Sequence, residues 1–329
     1  MKCRKLGRTG FEISEVSLGT WQVGGKWGSH FDHKNADHIL NAAVDNGINF
    51  IDTADVYGEN PGESEQAVGR LVRNRSEQIY VATKCGRQLN PHTSEMYTPK
   101  ALRGFVEASL KNMGLDTIDL IQLHCPPTEV YYRPEIFAEF DKLIDEGKIR
   151  KLGVSVEKVE EALKAIEYDN VDTVQIIFNM FRQRPKELFF KEAKKKDIGV
   201  IVRVPLASGL LTGKFTRDTI FLPDDHRTFN RNGEAFDKGE TFAGIDFNTG
   251  LDAVDELKKV FNNENLAQAA LRWILSFDEV STVIPGASGI DQLKSNVKAS
   301  DAGDLTDEQK KVVNDIYNQK IKGYVHHLW

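Results

Sequence analysis

Short apolar and β-branched runs alternate with longer stretches of helical period from about residue 15 to residue 300. That alternation predicts an α/β protein with a parallel sheet and crossover helices. The expected strands are Ser17 to Trp21, Asn49 to Ala54, Ile79 to Lys84, Leu120 to His124, Lys151 to Val156, Thr173 to Phe178, Val200 to Val204 and Val280 to Pro285. Eight is the number that closes a barrel. Helical patterns fill the gaps over Lys34 to Asn46, Glu63 to Arg73, Thr98 to Met113, Glu135 to Glu146, Glu157 to Ile166 and Lys186 to Lys196, mostly followed by Gly or a turn cluster. An open doubly wound sheet would show the same rhythm, but its G-x-G-x-x-G fingerprint after the first strand is absent, which favours a closed (β/α)8 TIM barrel.

Two regions break the rhythm. Lys5 to Ser14 reads as an N-terminal β-hairpin able to plug the barrel floor, and Leu206 to Gly250, rich in Gly, Asp, Asn and Phe, has no clear periodicity and is expected to fold over a ligand. A C-terminal extra helix, Thr306 to Lys320, precedes a His326-His327-Leu328-Trp329 tail to which the pattern gives no role. Residues 1–329 are expected to form one domain, since α/β barrels commonly exceed ordinary domain size.

Composition narrows the function classes. A 40% hydrophobic, 28% charged chain with net charge −6 has globular composition and no global attraction for nucleic acid. No run approaches the roughly 20 apolar residues of a membrane helix, and no secretory leader is apparent. The odd set Cys3, Cys85 and Cys125, without CxxC spacing, suggests free thiols and a cytoplasmic setting. Lys194-Lys195-Lys196 reads as a solvated helix face.

Side chains at the C-terminal ends of barrel strands converge on one mouth, so polar residues there are the functional candidates. The second strand ends in Asp52-Thr-Ala-Asp-Val-Tyr57-Gly58, the third in Thr83-Lys84 and the fourth in Gln122-Leu123-His124. A tyrosine with ordinary pKa near 10 is a weak acid–base catalyst at neutral pH. An ammonium at about 4 Å is worth roughly 4 kcal/mol at an effective dielectric near 20, so Lys84 is expected to lower the Tyr57 pKa. Asp52 would keep Lys84 charged and oriented, and His124 would fix the substrate oxygen. Hydride must come from a cofactor, because no side chain supplies it.

Leu18-Gly19-Thr20-Trp21, Asp52-Thr-Ala-Asp-Val-Tyr57-Gly58, Ala82-Thr-Lys84 and Leu123-His124 together resemble motifs of the aldo-keto reductase superfamily. The resemblance extends through Lys148 to Ser155, Pro205 to Lys214 and Ile284 to Asn296, and the last of these with Arg203 resembles bacterial reductases on the voltage-gated potassium channel β-subunit side of the superfamily. It implies a catalytic tetrad of Asp52, Tyr57, Lys84 and His124, with Trp21, Tyr57 and His124 against the substrate. It also implies an extended NADPH or NADP+ bound without a Rossmann fold. Gly19, Thr20, Trp21 and Asp52 would border it, Ser155, Gln175 and Arg203 would lie near the nicotinamide, and Pro205, Leu206, Ser208, Gly209 and Lys214 near the phosphates. Gly286, Ser288, Gln292 and Asn296 would hold the adenosine end at a helix N-terminus.

Three departures from that pattern bear on the cofactor. Val156 stands where many relatives carry a carboxamide-binding Asn, Arg203 stands where relatives stack Tyr or Trp on the nicotinamide, and Gln292 stands where NADPH-specific relatives place a basic residue, which admits NADH unless Lys294 compensates. The expected reaction is reversible reduction of an aldehyde, ketone or sugar carbonyl. The alternatives are a cofactor-sensing regulatory subunit and a sugar or polyol dehydrogenase. Gly209 to Phe215 resembles a P-loop but has three intervening residues instead of four, and the His30-Phe-Asp-His33 and His326-His327 pairs lack further ligands, so neither phosphoryl transfer nor a metal is expected. Tyr97, Tyr131, Tyr132, Trp21 and Trp27 are candidates for a substrate wall, and the sequence leaves the substrate and oligomeric state open.

Overall fold

All eight expected barrel strands form in the computed structural model, which describes residues 1–25, 30–262 and 264–329. After the hairpin strands β1 (Cys3–Lys5) and β2 (Glu12–Ser14) come β3 (Leu18–Gly19), β4 (Phe50–Asp52), β5 (Tyr80–Cys85), β6 (Ile118–His124), β7 (Ile149–Ser155), β8 (Val171–Ile177), β9 (Gly199–Arg203) and β10 (Val280–Val283). β3 to β10 are parallel and follow sequence order around the sheet. The cylinder closes where Val16 meets Val283 and Gly19 meets Gly286. Glycine at position 19 has a steric reason, because a Cβ there would lie 2.8 Å from the Ile284 carbonyl oxygen. β8 is buried at every position, with Val171, Val174, Ile176 and Ile177 apolar and Asp172, Thr173 and Gln175 the polar exceptions.

The hairpin plugs the floor. Leu6, Phe11 and Ile13 pack with Phe50, Ala82, Leu120, Ile201 and Ile284 in a cluster separate from the larger core between barrel and helices, and Phe11 stacks on Tyr80 with ring centroids 4.5 Å apart.

Helices α1 (His33–Asp45), α2 (Glu63–Asn74), α3 (Pro99–Met113), α4 (Pro134–Asp145), α5 (Val159–Ala165) and α6 (Phe189–Lys195) link successive strands. Their ends follow local chemistry: Thr98 Oγ1 accepts from the Ala101 amide, Pro99 opens α3, and Gly114 closes it in the left-handed conformation. Two helices are shorter than the sequence pattern suggests. α5 starts at Val159 because the Glu161 carboxylate takes up the amides of Glu157 and Lys158 as a cap, which leaves Glu157 outside the helix. α6 starts at Phe189 because Pro185 confines the preceding residues to a short turn, Arg184–Lys186.

The aperiodic segment is partly ordered by turns. It holds a 3-10 turn at Ala207–Thr212 and α7 (His226–Phe229), and it ends at Asp246, whose carboxylate caps α8 (Phe247–Val260), four residues before the expected boundary at Gly250. α9 (Leu266–Leu275) and α10 (Ile290–Val297) flank β10. The expected last helix runs as α11 (Asp307–Ile316) behind its Thr306 cap, then passes through a π turn, Tyr317–Ile321, and a short turn, Lys322–Val325.

Candidate active site

Parallel strand direction brings the ends of β4, β5 and β6 to one mouth, and Asp52, Lys84 and His124 arrive there together. Tyr57 reaches the same place from the turn after β4, where its amide donates to the Ala54 carbonyl and Ser64 ties the turn down through Thr20 and Thr53. Lys84 Nζ donates to Asp52 Oδ1 at 2.5 Å, to the Thr53 carbonyl at 2.8 Å and to the Tyr57 hydroxyl at 3.4 Å. His124 stands edge-on to Tyr57, ring centroids 6.0 Å apart. The four residues are thus one contiguous cluster.

Its electrostatics differ from the sequence expectation in one respect. Burial raises the Tyr57 pKa above its ordinary 10.0, and the opposing charge of Lys84 does not overcome it, because Asp52 and Glu240 counter that charge. The expected lowering therefore does not occur in this state. Tyr57 is firmly protonated at neutral pH. Burial also works against the Lys84 ammonium, but Asp52 and Tyr57 outweigh it and hold its pKa above the ordinary value. For His124, burial and then the positive charges of Lys84, Arg87 and Arg203 act in the same direction and leave a neutral imidazole.

The mouth opens into a cleft of about 650 Å³ that runs from Tyr57 to α10. Every residue assigned to a cofactor from the sequence borders it: Gly19, Thr20, Trp21, Asp52, Ser155, Gln175, Arg203, Pro205, Leu206, Ser208, Gly209, Lys214, Gly286, Ser288, Gln292 and Asn296. Lys84 does not, since it lies beneath Tyr57. Phe215, His226, Arg227 and Glu240 from the aperiodic segment also border the cleft, so that segment folds over it. Tyr97 and Tyr131 do not form a substrate wall; both are fully buried, and Tyr132 is exposed. Trp21 borders the cleft, and Trp27 lies outside the described residues.

Several residues act differently from their sequence reading, or were not found by it. Gln175 Nε2 is engaged by Asp52 Oδ2 at 2.8 Å and Gln122 Oε1 at 3.1 Å, and Gln122 Nε2 also donates to Asp52 Oδ2 at 3.0 Å. Gln122 was visible in principle, two positions before His124 on the same strand face. Arg203 is held edgewise by Glu157 Oε2 at 2.9 Å, the Val156 carbonyl at 3.1 Å and Glu240 Oε1 at 3.4 Å, so its charge is balanced within the protein. Burial opposes ionisation of Glu157, yet Arg203 holds its carboxyl below the usual range, while burial and Glu157 push Glu240 up. Glu157 follows Ser155 by the strand period, whereas nothing in the sequence pointed to Glu240. Cys125 Sγ and the two carboxylates have ligand atoms within 4.8 Å of one another, but Arg203 already supplies the countercharge.

Comparison with known proteins identifies the family. The model of the Aldo/keto reductase family matches residues 15–318. The chain is 31% identical over 324 residues to the uncharacterized oxidoreductase YqkF of Bacillus subtilis, covering 98% of each chain. It is 30% identical to a probable voltage-gated potassium channel subunit beta of Arabidopsis thaliana, covering 92% of each. Among solved structures, the glycerol dehydrogenase of Gluconobacter oxydans superposes with a TM-score of 0.79 at 33% identity, covering 97% of this chain and 96% of the other. The chain belongs to the aldo/keto reductase family, near its potassium channel β-subunit branch. It is an NAD(P)-dependent oxidoreductase acting on CH–OH groups and carbonyls.

Proposed function

We propose that this protein reduces the carbonyl of a small aldehyde, ketone or sugar with NADPH or NADH, and that Tyr57, Lys84, Asp52 and His124 carry the reaction. The supporting observation is the Tyr57 hydroxyl, 3.4 Å from Lys84 Nζ in a cluster that opens on a long cleft. The cleft suits an extended dinucleotide. Neutral hydrogen-bonding groups (Ser155, Gln175) lie at its barrel end, Lys214 and Arg227 along its middle, and Ser288, Gln292 and Asn296 at the α10 end. The N-terminal amides of α10 favour an anionic group there.

The bound nicotinamide would supply the hydride. Tyr57, protonated at rest, gives its hydroxyl proton to the substrate oxygen in reduction and takes it back in oxidation. Lys84 stabilises the phenolate left behind, and the Asp52 carboxylate fixes the ammonium. Neutral His124 orients the substrate oxygen by a hydrogen bond, which contributes position and no proton.

Initial rates on a panel of carbonyls test the assignment. Tyr57→Phe is expected to bind cofactor like the wild type and to lose about two to four powers of ten in turnover. Full turnover in that variant would remove Tyr57 from its role. Two observations favour neighbouring readings. The likeness to a glycerol dehydrogenase favours the oxidative direction with a polyol, and the likeness to a channel β-subunit favours cofactor sensing for a partner. The complete tetrad weighs toward turnover.

A further inference from the structure

The His326–Trp329 segment has no part in the chemistry above, yet it touches the segment that closes the cleft. Trp329 is only 5% exposed. Its indole Nε1 donates to Asp237 Oδ1 at 2.8 Å, and the same oxygen accepts from the Gly239 amide at 2.7 Å. The Arg182 guanidinium lies over the indole, its central carbon 3.8 Å from the ring centroid. Gly239 and Gly244 allow the close packing, because a Cβ at Gly239 would come within 2.9 Å of the ring and also clash with Arg182, and one at Gly244 would overlap the ring. The indole is therefore enclosed by residues 237–244 and Arg182.

That short stretch reaches the cleft through two contacts. Ser208 Oγ, on the cleft wall, donates to the Glu240 carbonyl at 2.8 Å and accepts from the Phe242 amide at 3.1 Å. The Glu240 carboxylate pairs with Arg203 at 3.4 Å, and Arg182 Nη2 donates to the carbonyl of Glu157, the other partner of Arg203, at 3.1 Å. Among the described residues Arg182 Nη1 is buried with no hydrogen-bond partner, and the indole face lies against that guanidinium. Trp329 thus connects to Ser208 through residues 237–242, and to Arg203 through Glu240 on one path and through Arg182 and Glu157 on the other.

We propose that Trp329 is a positioning residue for the dinucleotide: by clamping residues 237–244 it holds Glu240 and Ser208 against the cleft and so sets how tightly the cofactor is retained. This rests on the reading of the cleft as a nicotinamide dinucleotide site. Without the indole, the covering segment loses its anchor at Asp237 and its stack on Arg182, while Tyr57, Lys84, Asp52 and His124 keep their own contacts. The effect belongs to cofactor affinity and release, with little change in the chemical step.

The test uses Trp329→Ala and Trp329→Phe in the full chain. Binding of NADPH and NADH is followed by the fluorescence of the reduced nicotinamide, with single-turnover reduction measured at saturating cofactor. Trp329→Ala is expected to weaken binding about tenfold through faster release, equivalent to the loss of one or two contacts. Its single-turnover rate should stay within about twofold of the wild type. Trp329→Phe, which keeps an aromatic face for Arg182 but no indole N–H, should fall between the two, and it provides the readout if the alanine variant does not fold. A folded variant that binds cofactor as tightly as the wild type, or one whose single-turnover rate falls as far as its affinity, overturns the proposal. If the wild type binds neither nucleotide, it is the dinucleotide reading itself that has failed.

Discussion

Lys84 and Asp52 form an almost wholly buried ion pair: Nζ and Oδ1 are 2.5 Å apart, and the two side chains are 1% and 2% exposed. Such a pair is costly to assemble and more costly to break, because removing one partner leaves a buried charge uncompensated. Lys84→Met is therefore expected to lose about 3–5 kcal/mol of stability as well as turnover, read by urea denaturation and initial rates. The double variant Asp52→Asn/Lys84→Met, with no orphaned carboxylate, should recover much of the stability and none of the turnover. Recovery of both would mean that the pair serves the fold alone.

The pH profile separates the two candidate proton carriers. Burial, and then the charges of Lys84, Arg87 and Arg203, depress the His124 pKa well below its ordinary 6.5, so its neutral form persists as pH falls through that value. Burial raises the Tyr57 pKa above 10.0, so its donor form persists as pH rises to that value. For reduction, kcat/KM should carry no inflection near pH 6.5 that disappears in His124→Asn, and the loss due to Tyr57 should appear only on the alkaline side of pH 10. Activity that falls as pH rises through the neutral range, in a limb abolished by His124→Asn, would assign proton donation to the imidazolium.

The barrel strands and the clustering of Asp52, Tyr57, Lys84 and His124 were legible because each leaves a short-range mark. β-branched runs such as Val200-Ile201-Val202 are too short for helices and too apolar for loops, and Asp52, Lys84 and His124 stand at strand ends, where direction alone decides which mouth they face. Glu240 and Arg227 left no such mark, since both lie in the stretch without periodicity and meet the cleft only through tertiary turns. The direction of the Tyr57 shift was not readable either. Proximity to an ammonium can be argued from spacing, but the burial that outweighs it depends on everything packed above the ring.

The floor of the barrel offers a contrast with its mouth. Phe11 is 7% exposed and belongs to the hairpin cluster at the end opposite Tyr57. Phe11→Ala is expected to cost about 3–5 kcal/mol by emptying that cluster. Under conditions where the variant is folded, KM and kcat should remain within about twofold of the wild type, because conservation of the mouth geometry does not depend on the plug side chain. Thermal denaturation with parallel kinetics checks this, and a kinetic defect without a stability loss would contradict the division of roles.

On the proposed reading of the cleft, the choice between NADPH and NADH is expected to be made at its outer end. The face of α10 that borders it carries Asp291, Gln292, Ser295 and Asn296; Lys294, the residue available to compensate, is not among the lining residues. Gln292 Oε1 accepts from the Ser288 amide at 3.0 Å and from its hydroxyl at 3.2 Å, so the side chain is held at the entrance with no positive charge to offer. The α10 amides favour an anion, but Asp291 in the first turn opposes them and no basic side chain of this helix borders the cleft, so a 2′-phosphate would gain little there over a 2′-hydroxyl. NADH is therefore expected to compete well with NADPH in the wild type. Gln292→Arg should tighten NADPH about tenfold, as a charge-assisted bidentate contact would, while leaving NADH within about twofold. Parallel titrations of both nucleotides decide the matter, and equal gains for the two would show that position 292 does not face the ribose.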